Sequence, residues 1–364
     1  MRSIASASAI VAILCSACTE APAAGDKAGA PAEPIVLELA VADGDLGNAF
    51  AVGYFVRRVS ATSGGSIRVE LDTGLGNWAR DAEVQVVRAV ASGDVDLGVT
   101  STGVFDSMGL TSFQALSAPM LIDRYGLVDA LLESAIPREM LDDLTGVGVT
   151  GLGMSFQSLP HPLSEDQPLL APADWNQIGF GTHRSVVQEQ TIRALGGRPV
   201  EVFGPTRDQA LDTGRIQAFD FGVFGYTSEF RTGMGRQVPY VAENVVLWPQ
   251  FNVLIADPHL LASLSAQQRV WLQGAANEAT TFSEGLVGRE ERYVKNACAI
   301  GVRFAIATPS ELAAMRSALD PVYRRIERDP QTEKFIHQIG NLKRTTPVGP
   351  AIKVPPDCVG TRRH

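Results

Sequence analysis

Residues able to perform catalysis are scattered along this chain and form no recognisable catalytic motif. The nearest approach to a Gly-x-Ser-x-Gly nucleophile elbow is residues 153–157 (GMSFQ), which end in glutamine instead of glycine. The segment 179–181 (GFG) begins like a dinucleotide-binding fingerprint, but no third glycine follows it. The five histidines stand singly and no cysteine cluster occurs, which argues against a zinc site. We therefore predict a protein that is not an enzyme and that needs no metal or cofactor.

Polar side chains instead gather in loops that follow predicted strands. In the first half of the chain these loops are residues 43–47, 73–80 and 100–103. Ligands bind outside the carboxyl ends of parallel strands, so these loops should converge on a ligand. The candidate ligand-binding residues in them are Asp43, Asp45, Asn77, Trp78, Thr100, Ser101 and Thr102.

Aromatic side chains are common near the same loops and near those of the second half. Phe219 and Phe221 alternate with Asp220, so a strand there would place both rings on one face and the carboxylate on the other. The rings favour an apolar wall for a ligand, with core packing as the alternative for any single one. The aromatic candidates are Trp78, Phe180, Phe219, Phe221, Phe224, Tyr226 and Phe251.

Alternating strand and helix patterns must position these side chains. Residues 35–41 (IVLELAV) predict a strand, and residues 48–60 carry apolar residues at helical spacing. Strands at 66–71 and 95–100 flank another helical pattern at 81–92. This β-α-β-α-β order predicts a mainly parallel sheet with right-handed crossovers.

A second pattern of the same kind begins after Gly146. Strands are predicted at 147–152, 178–182, 199–203 and 218–221, with helices at 185–195 and 206–212. Residues 265–298 contain no proline and could form a helix of nearly 50 Å, long enough to bridge two lobes. The alternative is two ordinary helices, because Gly274, Gly285 and Gly288 could interrupt it.

Composition limits the class of protein. The chain has 364 residues, enough for about two lobes, with 45% apolar and 20% charged residues. These values exclude a disordered, collagen-like or multi-span membrane protein. The formal charge of -9 is spread along the chain, which argues against binding to nucleic acid.

The N-terminus predicts export. A basic start at Met1 and Arg2 and an apolar run at 4–14 are typical of a signal peptide, assigned to residues 1–17. Small residues before Cys18 resemble a lipobox, so Cys18 would carry lipid, although Cys15 stands where leucine is usual. Simple secretion is the alternative. Residues 18–34, rich in Ala, Pro and Gly, predict a flexible tether. We therefore expect an exported protein, in the periplasm or at the outer face of the cell envelope, lipid-anchored through Cys18.

The mature chain keeps two cysteines, Cys298 and Cys358. In an oxidising compartment such a pair favours a disulfide, which would pin the C-terminal tail. Two separate thiols, one of them buried on a helix, are the alternative.

Five blocks of sequence resemble the substrate-binding proteins of tripartite ATP-independent periplasmic (TRAP) transporters. The resemblance runs from about residue 35 to 328, and the blocks occur in the family's order. They are residues 55–69 (FVRRVSATSGGSIRV), 83–97 (EVQVVRAVASGDVDL), 172–176 (PADWN), 194–197 (ALGG) and 210–214 (ALDTG). The resemblance implies a two-lobed α/β fold of the periplasmic-binding-protein type, with a long bridging helix. It also implies a ligand cleft between the lobes, hinge closure, and delivery of a small organic molecule to integral-membrane permease subunits.

Two departures from the family pattern affect the implied site. The family's ligand-binding arginine corresponds to Gly181, and a family amide corresponds to Phe221. These changes predict a roomier pocket and a ligand with an apolar or aromatic part. Arg184, at the start of a predicted helix, is the expected replacement cation, and Arg80 and His183 are further candidates. A solvent-exposed role is the alternative for each.

The predicted organisation follows from these observations. Lobe I comprises residues 35–155 with 247–285, lobe II comprises 156–246 with 286–330, and residues 331–364 form a tail. Hinges are expected near 151–158 and 246–252. A ligand-sensing receptor subunit for a membrane signalling protein remains the alternative function at this point.

Overall fold

The computed structural model describes residues 33–42, 50–76, 79–183, 185–202, 204–222, 238–284, 290–349 and 352–360. The predicted signal peptide, Cys18 and most of the predicted tether lie outside these residues. So do Asp43, Asp45, Asn77, Trp78, Arg184, Phe224 and Tyr226. Pro34–His364 form one structural unit. Among the described residues, no helix combines the length and the apolar character needed to cross a membrane.

The first sheet contains five strands in the order β2-β1-β3-β10-β4. Its strands are β1 (Ile35–Val41), β2 (Ile67–Asp72), β3 (Leu97–Ser101), β4 (Thr150–Ser158) and β10 (Gln250–Ala256). β1 pairs in parallel with β2 and β3, whereas β10 runs antiparallel to both β3 and β4. The sheet is therefore mixed, unlike the mainly parallel sheet predicted, because β10 enters it from the opposite direction.

Two helices cover this sheet where the sequence predicts them. α1 (Phe50–Thr62) buries Val52, Phe55 and Val59, and α2 (Ala82–Ser92) buries Val86, Val87 and Val90. α2 ends at Gly93, whose φ of 78° gives the left-handed stop that glycine adopts without strain. The crossovers place α3 (Gly103–Ser107) directly after β3.

The second sheet contains six strands in the order β11-β9-β5-β8-β6-β7. Its strands are β5 (Pro160–Ser164), β6 (Gly179–Thr182), β7 (Arg198–Glu201), β8 (Ala218–Gly222), β9 (Tyr240–Ala242) and β11 (Arg303–Ala305). β6 runs parallel to β7 and β8, and α6 (Val186–Ala194) and α7 (Pro205–Asp212) connect these strands. This β-α-β-α-β unit is the repeated pattern predicted from the sequence.

One predicted strand is misplaced. Residues 147–152 were expected to open the second pattern, but Asp143–Val147 form a 3-10 helix and β4 continues to Ser158 within the first sheet. Buried and half-buried residues alternate along β4, so one face of this strand packs on the core through Leu152, Met154 and Phe156. This packing explains why the strand extends beyond residue 152 and belongs to the first sheet.

The chain crosses between the sheets more than once. Only Leu159 separates β4 from β5, and residues 243–249 connect β9 to β10. A third connection lies in the predicted bridging helix, which is described as α9 (Ala266–Glu284) and α10 (Glu290–Ala299). Residues 285–289 between them are outside the described part. α9 packs on α1 and β4, and Val294 and Ala297 of α10 pack in the core of the second sheet.

The C-terminal region is more ordered than the tail predicted. α11 (Pro309–Ile326) is followed by α12 (Pro330–Thr345). Asp329 caps α12 by accepting a hydrogen bond from the Thr332 N–H at 2.8 Å. α12 packs against α4 (Tyr125–Leu132) and the 3-10 helix Ser112–Ser117, burying Phe335 and Ile339. Further along, a disulfide joins Cys358 to Cys298, with the Cα atoms 5.6 Å apart.

The cores of the two sheets are partly shared. One cluster lies between the first sheet, α1 and α9, and another lies beside the second sheet and α10. The largest cluster extends from α2 and β10 to Phe180 of the second sheet and to Trp175 and Ile192, which pack beside it. The two halves of the molecule are therefore joined by buried apolar contacts as well as by the connecting chain.

Candidate functional site

Side chains from the two sheets meet at the carboxyl ends of β3, β6, β7 and β8, which we call the cleft edge. Three contacts among the described residues join the first sheet and its helices to the second there. They are Glu83 to His183, Asp106 to the start of α6, and Arg80 to Glu201. We call them the cross-cleft contacts.

Glu83 is a buried carboxylate at the start of α2. Its Oε2 lies 2.9 Å from His183 Nε2, just beyond the end of β6, and its Oε1 accepts the Ser101 N–H at 2.7 Å. Burial raises the pKa of Glu83, but the charge of His183 and the hydrogen bonds from His183 and Ser101 outweigh it. The pKa is therefore below its ordinary value. Glu83 thus stays ionised and holds His183 across the cleft.

Asp106 of α3 caps a helix of the opposite sheet. Its Oδ2 accepts the Val186 N–H of α6 at 2.9 Å and the Ser185 hydroxyl at 3.2 Å. Gln114 donates to Oδ1 at 2.7 Å. Helix N-termini attract anions because their first N–H groups have no partner within the helix. The start of α6, expected to attract a ligand anion beside Arg184, is therefore already occupied by a carboxylate of the protein.

Arg80 is paired across the cleft. Its Nε donates to Glu201 Oε2, at the end of β7, at 2.8 Å. A cavity of about 370 Å³ lies beside this pair. Its lining comes from helices, loops and one strand end of both halves of the molecule: Arg80, Asp81, Val84, Ser107, Ser185, Val186, Glu189 and Glu201. This volume lies within the range of sites for small molecules.

Asp220 lies on β8 and is held by Trp248, in the segment that returns to the first sheet. The indole Nε1–H donates to Asp220 Oδ2 at 2.7 Å. Burial raises the pKa of Asp220 to about 6, against the opposing effects of the Trp248 hydrogen bond and the charges of Arg207 and His183. Asp220 is therefore close enough to Arg207 and His183 for their charges to act on it.

The aromatic candidates divide into two groups. Phe180 packs on Trp175, and Phe251 packs on Phe156; all four rings are at most 2% exposed, so Phe180 and Phe251 lie in the core. Phe219 and Phe221 lie together on one face of β8, with ring centroids 6.1 Å apart, and Phe221 is half-buried. Both rings contact the Arg207 guanidinium.

At the carboxyl end of β3, the hydrogen bonds to the cleft edge come mainly from backbone N–H groups. Thr102 is buried, and its N–H donates to the Phe251 carbonyl at 3.0 Å. Ser101 is half-buried beside Glu83. Thr100 is 2% exposed, and no hydrogen bond to its hydroxyl is found among the described residues. Ser101 and Thr102 therefore shape the cleft edge by positioning their neighbours.

Gly181 is buried against apolar side chains. A Cβ atom there would lie 2.9 Å from Val202 Cγ2, 3.2 Å from Ile216 Cδ1 and 3.3 Å from Phe219 Cβ. The space beside residue 181 is therefore already filled.

Asp106, Arg207 and Trp248 lie at this site but were not predicted as candidates from the sequence. The pairing of Glu83 with His183 was not predicted either. Glu83 and Asp106 are polar residues of helices that follow strands: Glu83 lies in α2 after β2, and Asp106 lies in α3 after β3. That position was the available indication, because helices after parallel strands begin at the ligand-binding edge.

The described residues also contain one grouping of three potential metal ligands, Cys298, Asp357 and Cys358. The two sulfur atoms are joined in the disulfide, so they are not available as thiolate ligands.

Solved structures of solute-binding proteins share this fold. A TRAP periplasmic solute-binding protein from Ralstonia eutropha, solved with (S)-2-acetolactate, has a TM-score of 0.76 at 18% identity. The similarity covers 85% of this chain and 99% of that one. A sugar acid binding protein from Advenella mimigardefordensis, in complex with galactonate, has a TM-score of 0.75 at 17% identity, covering 86% and 99%. The predicted two-lobed α/β fold of the periplasmic-binding-protein type is confirmed.

Sequence comparison gives the family. Residues 42–329 match the model described as bacterial extracellular solute-binding protein, family 7. The C4-dicarboxylate-binding periplasmic protein DctP of Rhodobacter capsulatus is 24% identical over 295 residues, which are 80% of this chain and 86% of that protein. The chain belongs to bacterial extracellular solute-binding protein family 7. It is a solute-binding protein and not an enzyme, as predicted.

Proposed function

We propose that this protein captures a small organic acid at the cleft edge, closes on it, and delivers it to the permease subunits of a TRAP transporter. The observation that carries the proposal is the cavity of about 370 Å³ at the cleft edge, bounded by residues of both halves of the molecule. Similar proteins of known structure were solved with acetolactate, galactonate and glucuronate, all of which are carboxylates. No observation favours the signalling alternative.

Lobe I would comprise residues 35–155 with 247–285, and lobe II residues 156–246 with 286–330. The two sheets fall on opposite sides of this division, apart from residues 156–158 at the end of β4. Closure would bend the chain at Leu159 and at 243–249, where it passes between the sheets. The predicted lipid on Cys18 and the tether would hold the protein near the membrane that contains the permease.

A ligand shifts an opening equilibrium only by binding one state better than the other. A change from 1:99 to 99:1 requires about 5.5 kcal/mol of differential binding. The cross-cleft contacts supply part of the closed state's stability, and the ligand supplies the remainder by contacting both lobes. The half-buried Phe221 supports a ligand with an apolar part.

Native mass spectrometry of protein purified without denaturation tests the capture function. The spectrum should show a bound small molecule that is released unchanged on denaturation, and small-angle scattering should show a smaller radius of gyration when it is present. A bare protein that binds no metabolite, or one that chemically converts its ligand, would falsify the proposal.

A further inference from the structure

The C-terminal helices reach both halves of the molecule. α11 packs against α6 and the 3-10 helix Pro172–Trp175 of the second half, and α12 packs against α4 and the 3-10 helix Ser112–Ser117 of the first. α12 begins at Pro330, directly after the part of the chain that matches the family model. Its role therefore has to be inferred from its own contacts.

A turn at residues 118–121 is held in an unfavourable backbone conformation. The Leu121 N–H donates to the Ala118 carbonyl at 3.2 Å, which closes the turn around Pro119 and Met120. Met120, the third residue, has a φ of 57°, in the range that a type II turn requires there and that favours glycine. A methionine keeps this conformation only where its surroundings hold it.

Two side chains of the C-terminal helices bind the carbonyls of this turn. Lys343 Nζ of α12 donates to the Met120 and Leu121 carbonyls, each at 2.8 Å. The Tyr323 hydroxyl of α11 donates to the Pro119 carbonyl at 2.8 Å. Burial raises the pKa of Tyr323, so its hydroxyl keeps the proton that it donates. We call these three hydrogen bonds the C-terminal clamp.

Lys343 has given up much of its contact with water to make these bonds. Its side chain is 25% exposed, and its Nζ also lies 2.5 Å from Asp123 Oδ2. The two carbonyls and this carboxylate match the three donors of a lysine. Burial lowers the pKa of Lys343, against the opposing charge of and hydrogen bond to Asp123. A lysine that pointed into solvent would avoid this desolvation, so the three acceptors are what keep Lys343 at the turn.

The same turn also holds the chain that connects the two sheets. The Met120 N–H donates to the Leu247 carbonyl at 2.8 Å, within residues 243–249, where the chain passes from β9 to β10. The next residue, Trp248, donates from its indole to Asp220 of β8 at 2.7 Å. A series of contacts therefore runs from α12, through the turn and the connection, to the cleft edge.

We propose that Lys343 positions the connection 243–249 through Met120, and that this makes the connection ready for closure of the lobes on the ligand. The inference rests on the proposed function, because it concerns the closure that follows capture. Without the clamp, the turn can leave its unfavourable conformation, and the Leu247 carbonyl loses its fixed partner. Closure then has to order a connection that the wild type holds in advance, and ordering chain costs conformational entropy.

Fluorine NMR of the ligand-free protein labelled with 5-fluorotryptophan tests the positioning role. The chain has four tryptophans, and the Trp248 signal is identified by its loss in Trp248→Phe. Lys343→Met removes the donors and keeps an apolar stem. Lys334→Met is the matched control, because Lys334 lies on the same helix but pairs with Glu139 of α5 (Ile136–Asp142).

Lys343→Met should shift the Trp248 signal and speed amide exchange in residues 243–249 by about 10-fold, as expected for lost hydrogen bonds from a charged donor. Tyr323→Phe removes one hydroxyl and should cause smaller changes of the same kind, which keeps the test available if Lys343→Met does not fold. Thermal unfolding shows which variants are folded. Unchanged signals and exchange in the folded variants overturn the assignment, and so does an equal shift in Lys334→Met.

Calorimetry with galactonate and glucuronate connects the position of the connection to capture. Lys343→Met should bind the tighter of the two acids about 2- to 30-fold more weakly than the wild type, the range for residues that affect affinity without touching the ligand. Lys334→Met should keep the wild-type affinity. Full affinity in a Lys343→Met protein whose Trp248 signal has shifted overturns the role in closure.

Failure of this inference can be distinguished from failure of the proposed function. If the wild type carries and binds no small molecule, the proposed function is overturned, whereas the Trp248 signal and the amide exchange still decide whether Lys343 positions the connection. If the wild type binds an acid and Lys343→Met matches it in every measurement, the inference is overturned and the capture function stands.

Discussion

Packing around Gly181 leaves no space for a side chain at this position of the cleft edge. Gly181 adjoins Val202, a stiff β-branched side chain, and the backbone-proximal Cβ of Phe219, so neither neighbour can easily move away. The glycine is thus a packing requirement of this chain, and Arg207 occupies the nearby space from another element.

Substitution of Gly181 should therefore be destabilising. Gly181→Ala should lower the free energy of unfolding by about 1 to 3 kcal/mol through overpacking, and Gly181→Arg by at least as much. Gly274→Ala is the matched control, because a Cβ on α9 at that position meets nothing within 4 Å. It should raise the stability by about 0.5 to 1 kcal/mol. Urea unfolding measures all three, and a neutral Gly181→Arg would contradict the packing argument.

Strand ends were easier to predict from the sequence than the pairing of side chains beside them. Ser101 and Thr102 were predicted in a loop after a strand, and Asp220 on the strand face opposite Phe219 and Phe221; the structure places all three at the cleft edge. The pairing of Glu83 with His183 joins residues 100 positions apart, so no local pattern reveals it. Likewise Phe180 and Phe251 have the composition of ligand contacts but pack in the core, a choice that depends on the tertiary arrangement.

Among the elements, two segments next to the connections between the sheets each bury one titratable side chain. His161 of β5 is 4% exposed, and burial lowers its pKa to about 4, although backbone contacts with residues 242, 243 and 245 oppose this. Glu243, which follows β9, is 8% exposed, and burial raises its pKa to about 7. The neutral form of each side chain is therefore favoured in the folded state.

These two groups should give stability opposite dependences on pH. Folded Glu243 keeps a proton from about pH 4.5 to 7 that the unfolded chain has lost, so its contribution to stability falls as pH rises through that window. Unfolded His161 binds a proton from about pH 6.5 down to 4 that the folded chain excludes, so its contribution rises with pH there. Each full protonation difference changes the slope by about 1.4 kcal/mol per pH unit.

Urea unfolding between pH 5 and 6.5 checks this prediction. Relative to the wild type, Glu243→Gln should make the slope of stability against pH more positive, and His161→Gln should make it more negative. Glu70→Gln, at an exposed position on β2, serves as the control and should keep the wild-type slope. Parallel profiles for all four proteins would contradict the burial argument.

Helices and strands were predictable wherever hydrophobic periodicity was clear, as in α1, α2 and the unit from β6 to β8. The sheet to which a strand belongs was harder to infer. β4 and β10 look locally like other strands, and their antiparallel pairing in the first sheet depends on chain crossings that have no sequence motif. α12 was missed because its apolar positions (Phe335, Ile336 and Ile339) lie beyond the range covered by the family resemblance.

At the scale of the whole molecule, both the cross-cleft contacts and the shared core link the two halves. Asp106 and Asp257 provide a matched comparison. Both aspartates cap helices, but Asp257 caps α8 (Pro258–Ser263) beside its own strand β10, through His259 and Leu260.

Asp106→Ala and Asp257→Ala should each cost about 1 kcal/mol of stability through loss of the cap. Only Asp106→Ala should increase the radius of gyration of the ligand-free protein in small-angle scattering, because only Asp106 joins the two halves. An equal increase in both variants, or in neither, would refute the role of Asp106 in closure.

The disulfide acts at the same scale, because it closes a loop with a sequence separation of 60 residues. Replacing both cysteines by serine should lower the free energy of unfolding by about 4 kcal/mol, from the restored entropy of the unfolded chain. Each single replacement should cost nearly as much as the double one, since either removes the bond. Additive losses would show that the cysteines contribute separately; urea unfolding distinguishes these outcomes.

The position of β10 affects how the molecule is made. β10 lies between β3 and β4, so the first sheet has a gap until residue 256 has been synthesised, and α4 stays uncovered until α12 emerges from the ribosome. A nascent chain therefore cannot complete a stable lobe early. Delayed folding of this kind keeps a polypeptide threadable through a secretion channel.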